Sequence, residues 1–197
     1  MFKVGITGHR YLKPNCINHY QKEVSKLLKK LQQKHKDIVI YSPLADGADR
    51  LIVNEAIKLN IPYIAILPMP KENYIMDFDK NSKQEFELLL NNANDIMILP
   101  LCKGSTIESI ATYTKERDLQ YEAVGHKIAD ISDNLIALWD KKDIGLIGGT
   151  GEIVKYFKNK KLGILSHLMV SRSKDKDNFM VKFKHFNMEC EKWIVKM

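Results

Sequence analysis

Three short stretches of this chain combine glycine with residues that hold anions or move protons. The first is "TGHR" (Thr7, Gly8, His9, Arg10), near the start. A threonine hydroxyl, backbone N–H groups that glycine leaves approachable and the donor fork of an arginine all suit phosphate oxygens. His9 adds a group able to exchange a proton near neutral pH. The second is "SPLADGADR" (Ser42 to Arg50). There Asp46 and Asp49 could accept from ribose hydroxyls, and Arg50 could pair with phosphate or with those acids. The third is "GGTGE" (Gly148, Gly149, Thr150, Gly151, Glu152). Glycine-rich backbone opening a helix offers free N–H groups and the positive end of the helix dipole to an anion. Glu152 reads as a first-turn acid favoured by that dipole, a ribose ligand or a catalytic base.

Singly, each stretch has a plain alternative: a surface turn, a helix cap, a glycine loop. Neither the dinucleotide G-x-G-x-x-G nor the G-K-[ST] phosphate loop is present, so no resident cofactor is expected. Position decides between the readings, and position comes from the elements around them.

"FKVGI" (2–6) reads as a first strand, ended by the glycine turn, and residues 16–35 carry apolar positions at helical spacing. "DIVIYSP" (37–43) is strand-like, and a helix follows from a turn in which Asp46 is the expected N-cap. "IPYIAILPMP" reads as a third strand closed by prolines, and 71–93 as a loop and then a helix. "DIMILPL" (95–101) is a fourth strand, 103–118 is unassigned, and "LQYEAVGHKIADIS" is a helix interrupted in composition by Gly125. "DNLIALWD" is a fifth strand, the glycine loop runs into a helix, and "LGILSHLMV" is a sixth strand. "NFMVKFKHF" (178–186) alternates as an edge strand would.

Strands alternating with helices predict a Rossmann-like, doubly wound parallel sheet in three α/β/α layers, spanning about 1–170, with a basic extension at 171–197. Ligands of such sheets bind beyond the carboxyl ends of the strands, where all three stretches fall. Trp139, at the end of the fifth strand, could stack on a base or simply fill core.

The chain has 197 residues, 45% hydrophobic and 28% charged, which suits one globular domain with an appendage. No apolar run approaches the ~18 residues of a membrane helix and no signal peptide opens the chain, so a cytoplasmic protein without membrane contact is expected. Cysteines 16, 102 and 190 form no disulfide framework, and the Cys16–His19 spacing lacks a second pair, so no metal is expected. The net charge of +7 is uneven: residues 1–154 hold 20 basic and 20 acidic side chains, residues 155–197 hold 11 and 4. A basic end of this kind is a solvated tail or a contact for nucleic acid.

"VGITGHR", "SPLADGADR", "ILPMP", "SDNLIALWD" and "GGTGEIV", in this order, resemble the SLOG superfamily of Rossmann-like domains. That group is related to the LOG nucleoside-phosphate hydrolases and to the DNA-processing protein DprA. The resemblance is to the branch found in bacterial conflict systems. It implies a domain that binds a nucleotide or nucleotide-derived messenger, of cyclic or ADP-ribose type, linked to an effector protein, and a homo-oligomer such as a dimer. LOG enzymes carry P-G-G-x-G-T-x-x-E and an arginine on the helix before the preceding strand. Gly148, Gly149 and Gly151 match, whereas Glu152 stands in place of the threonine and Lys155 in place of the glutamate. "EAVGHK" (Glu122 to Lys127) supplies no arginine. The resemblance therefore implies binding rather than LOG-type hydrolysis of the N-glycosidic bond, with Glu152, Glu122 or His9 as the candidates for any rebuilt catalysis. A DprA-like nucleic-acid adaptor using the basic end is the remaining alternative.

Overall fold

Every residue of Ile38–Ser42 is buried, although consecutive side chains of a strand point to opposite faces. Such a strand needs a covering layer on each side, and the chain supplies both. The computed structural model describes residues 1–142 and 144–173. In order these form β1 (Phe2–Gly8), α1 (Ile17–Lys34), β2 (Ile38–Ser42), α2 (Ala48–Lys58), β3 (Tyr63–Leu67), a single turn α3 (Lys71–Tyr74), α4 (Lys80–Asn91), β4 (Asp95–Ile98), α5 (Lys115–Ile131), β5 (Asn134–Trp139), α6 (Thr150–Asn159) and β6 (Ile164–Met169). The sheet runs β4-β3-β2-β1-β5-β6, and every pairing is parallel. This is the three-layer, doubly wound α/β/α arrangement.

Alternation along the strands divides the core in two. Val4, Ile6, Ile38 and Ile40 meet Val24 and Leu28 of α1, Ile52 and Ala56 of α2, and Phe86 of α4. Val39, Tyr41 and Leu135 meet Val124 and Ile128 of α5 and Ile153 and Phe157 of α6. The two faces are built from different helices, and neither is left bare over the central strands. At the edge, all four residues of β4 are exposed.

Several boundaries differ from the sequence reading, each for a physical reason. β1 runs two residues past the expected end, because Thr7 and Gly8 pair with Ala137 and Leu138 of β5. Gly8 is thus not the turn; a Cβ there would lie 2.3 Å from the Cβ of Ala48, so glycine lets α2 press onto the strand. Asp46 does not cap α2. Gly47, at φ +79°, holds that position without a side-chain cap, and the Asp46 carboxylate is taken by Arg50 and Ser82. α5 starts at Lys115, inside the unassigned stretch, because the Thr114 hydroxyl accepts from the Arg117 amide while Glu116 and Asp118 occupy the first turn. Gly125 does not break that helix: a side chain there would strike Ile153, so its absence lets α6 close on α5. The expected strand at 178–186, and most of the basic extension, lie outside the described residues. Ser171–Ser173 nevertheless belong to the body. The Ser171 amide donates to the Tyr20 hydroxyl at 2.8 Å, and Leu12 and Arg172 form an antiparallel bridge.

Gly8→Ala should destabilise the protein by about 1–3 kcal/mol through overpacking. Urea unfolding reads this as a lower midpoint at unchanged slope, and in the Gly8→Ala/Ala48→Gly pair much of the loss should return. Additive effects of the two substitutions would contradict the close approach of strand and helix.

Candidate functional site

The sheet order reverses at β1. Strands β2, β3 and β4 extend it one way and β5 and β6 the other. At such a switch point the loops after neighbouring strands diverge to opposite faces and leave a crevice at the carboxyl ends. A cleft of about 410 Å³ lies there. One wall is Thr7, Gly8, His9 and Arg10; the facing wall is Leu146 to Gly151, and Pro43, Ala45 and Asp49 close the side next to β2.

The glycine loop is held by contact with α5. Gly148 has φ +67°, and a Cβ there would lie 2.6 Å from the Glu122 nitrogen. Both facts require glycine. Gly149 is the N-cap of α6 and makes no side-chain cap bond, so the first turn, Thr150 and Gly151 included, opens onto the cleft. First-turn amides that no side chain caps are the groups an anion satisfies.

His9 faces this helix end from the other wall. Its Nε2 lies 2.9 Å from Asp140 Oδ1 and 3.2 Å from the Asp140 amide nitrogen, so a ring protonated at Nε2 donates to the carboxylate and one with Nε2 free accepts from the amide. Burial lowers the His9 pKa, against the raising effect of Asp140. Burial acts to raise the Asp140 pKa, but hydrogen bonds from the Lys142 amide, His9 and Arg172 outweigh it and hold the carboxyl below its usual value. Arg172 Nε donates to Asp140 Oδ2 at 2.8 Å, which brings the last described turn of chain to the site.

Asp49 is 4% exposed, and burial pushes its carboxyl up to about 7. The Ala45 amide, which donates to it at 3.2 Å, and the Arg10 and Arg50 guanidiniums pull the other way. A buried acid poised near neutrality in a cleft is a mark of functional sites. Arg10 is steered by Asp77, 3.3 Å away, and lies over the Tyr121 ring at 5.6 Å. Asp77 also accepts from Arg117 Nη2 at 2.7 Å and from the Tyr121 hydroxyl.

Of the candidates named from the sequence, Thr7, Gly8, His9, Arg10, Asp49, Gly148, Gly149, Thr150 and Gly151 line this one cleft. Asp46, Arg50, Trp139, Glu122 and Glu152 are not among its lining residues. Arg50 is spent inside the fold, on Asp46 at 3.0 Å, Glu85 at 3.1 Å and the Leu44 carbonyl at 3.0 Å. Trp139 donates its indole N–H to the Lys142 carbonyl at 3.2 Å. Glu152 turns to His126, with Glu122 beside them. The sequence reading missed Tyr11, Tyr74, Tyr113, Asp118, Tyr121 and Arg172, all of which line the cleft. It also missed that the helix before β5 does contain an arginine, Arg117. That side chain is 2% exposed, bound to Asp77 and the Ile110 and Asn73 carbonyls, and is not part of the lining. Starting α5 at Leu119 hid it.

No family model matches the chain, and no curated protein matches it in sequence. Among solved structures it is similar to DNA processing protein A (DprA) from Streptococcus pneumoniae, at 16% identity and TM-score 0.55, over 85% of this chain and 50% of that one. It is likewise similar to the Helicobacter pylori DprA, described for its single-stranded DNA binding mode, at 19% identity and TM-score 0.52, over 84% and 64%. The chain thus spans less than two thirds of either protein. The fold is the Rossmann-like fold of these DprA structures.

Asp49 carries a pH signature. In the folded protein it titrates near 7 and in the unfolded chain near 4, so between these values the native state binds the extra proton and stability falls as pH rises. Asp49→Asn removes that loss while keeping an oxygen for the Ala45 amide. Its stability relative to the parent, from urea unfolding, should therefore be higher at pH 8 than at pH 5; a pH-independent difference would place the Asp49 titration elsewhere.

Proposed function

We propose that the chain binds a nucleotide or a nucleotide-derived ligand through its phosphates, as a sensor or sequestering protein. The observation that carries this reading is one cleft in which the uncapped start of α6 faces Thr7–Arg10, the end of β1 and the residues just after it. The helix end supplies N–H groups and a positive field, and Arg10 supplies a guanidinium already oriented by Asp77. Tyr113 and Tyr121 bring aromatic faces to the same space, suited to a base. Asp49, its carboxyl near neutrality, can donate to or accept from a ribose hydroxyl. A cyclic nucleotide or an ADP-ribose-type compound combines all of these groups. As a sensor, the protein passes the bound state to an effector protein or across a homodimer.

Grip rather than cleavage is supported by the departure from the LOG pattern, since Glu152 and Lys155 stand where it has threonine and glutamate and Glu152 turns away to His126. Calorimetric titration of the full chain with mononucleotides, ADP-ribose species and cyclic oligonucleotides should find at least one binder, recovered intact after long incubation. Gly149→Asp should weaken binding by about 10–100-fold, the loss expected when charge-assisted hydrogen bonds are replaced by like charge. Silence across the panel would sink the reading, and release of base or phosphate would convert it to the hydrolytic one.

A second reading is favoured by the fold it shares with DprA: binding of single-stranded DNA, helped by the basic extension. It expects affinity that falls steeply with salt and drops when the chain is cut after residue 173. Cutting at 170 would be the wrong test, because Ser171–Ser173 hold Tyr20, Leu12 and Asp140.

A further inference from the structure

Outside the cleft, Glu122 and His126 stand one turn apart on α5, and Glu152 reaches them from the first turn of α6. One donor atom of each lies within 4.8 Å of the other two. His126 Nε2 is 2.8 Å from Glu152 Oε1. The imidazole is fixed in place: it stacks on Tyr156 at 3.7 Å between centroids, and the Tyr156 hydroxyl donates to Asp130 at 2.8 Å.

An ordinary interhelical ion pair accounts for only part of this. It satisfies Oε1 of Glu152, but Oε2 is enclosed without a hydrogen-bond partner. It also sets a second carboxylate, Glu122, against the first, and His126 is the one basic group paired with either acid among the described residues. An enclosed carboxylate oxygen without a donor is costly, and two adjacent carboxylates repel each other unless a cation lies between them. One imidazole and two carboxylates, drawn from two helices and converging on a point, are ligands for a metal ion.

We propose that Glu122, His126 and Glu152 form a three-ligand site for a divalent first-row cation of the zinc class, with water in the remaining position. Ligand distances of about 2.0–2.2 Å are reached by a small spreading of the His126–Glu152 contact. The imidazole selects zinc, cobalt or nickel over magnesium and calcium, which prefer all-oxygen shells. On binding, the metal takes the Nε2 lone pair of the neutral ring, whose one N–H proton then sits on Nδ1, and stands beside Oε1. The bound ion ties α5 to α6 next to Gly148, whose loop already rests on the Glu122 backbone. It therefore steadies one wall of the cleft, whatever the cleft binds.

The test uses the full chain, stripped by chelator and titrated with Zn²⁺ alone, with Co²⁺ as the spectroscopic probe. The expected result is one Zn²⁺ per chain at micromolar affinity or better, undisturbed by millimolar Mg²⁺. Bound Co²⁺ should show d–d bands without thiolate charge transfer. His126→Ala and Glu122→Gln should each weaken binding by at least about 10-fold with an unchanged circular dichroism spectrum. Glu122→Gln alone decides if the histidine variant does not fold. No saturable binding by the folded parent protein, affinity that survives the substitutions, or a thiolate band assigning the ion to a cysteine would each overturn the proposal.

Discussion

Asp77 is the charge around which the rest of the cleft is arranged. Its side chain is 2% exposed, and at that depth a carboxylate persists only with close cationic and hydroxyl partners. It has three, from two parts of the chain: Arg10 from the turn after β1, and Arg117 and Tyr121 from successive turns of α5. Arg117 passes the constraint on, donating to the Ile110 and Asn73 carbonyls. The irregular stretch between β4 and α5 is thereby anchored although it forms no strand and no long helix. Removing one partner would leave the others with buried charge unmatched, so the geometry of Arg10 and of the tyrosine wall is set together.

The parts of this fold legible in the sequence are those where one local pattern decides. β2, β3 and β5 are short apolar runs, and a strand buried on both faces has no other appearance. The glycine loop was legible because "GGTG" follows a strand and opens a helix, and the structure puts it on the cleft. Where tertiary contact overrides a local signal, the sequence misleads. Asp46 has the type and place of an N-cap, yet Arg50 and Ser82 outbid the helix amides for its carboxylate. Gly8 looks like a turn residue and is a strand residue thinned for Ala48. The tyrosines of the cleft come from three separate segments with no spacing that relates them, and His126 meets Glu152 across 26 positions. Pairs of that kind have no local trace.

The likeness to DprA, at under 20% identity, fits how this architecture is specified. Layered α/β folds ask for apolar strands, helices with one apolar face and glycines at close crossings, and many sequences meet those terms. What a member binds is settled by the few side chains beyond the strand ends. Here the side chains beyond the strand ends include His9 against Asp140, Arg10 against Asp77, and a buried Asp49, facing the start of α6.

His9 and Asp140 are separated by 131 positions, and the Tyr20–Ser171 bond by 151. Contacts so distant along the chain close large loops and form late in folding. A ribosome releasing this protein would let β1, α1 and β2 find one another long before β5 and β6 appear. The cleft is therefore the last part of the domain to exist: it is completed together with β5, α6 and β6, and partial chains carry Thr7–Arg10 without the His9–Asp140 contact.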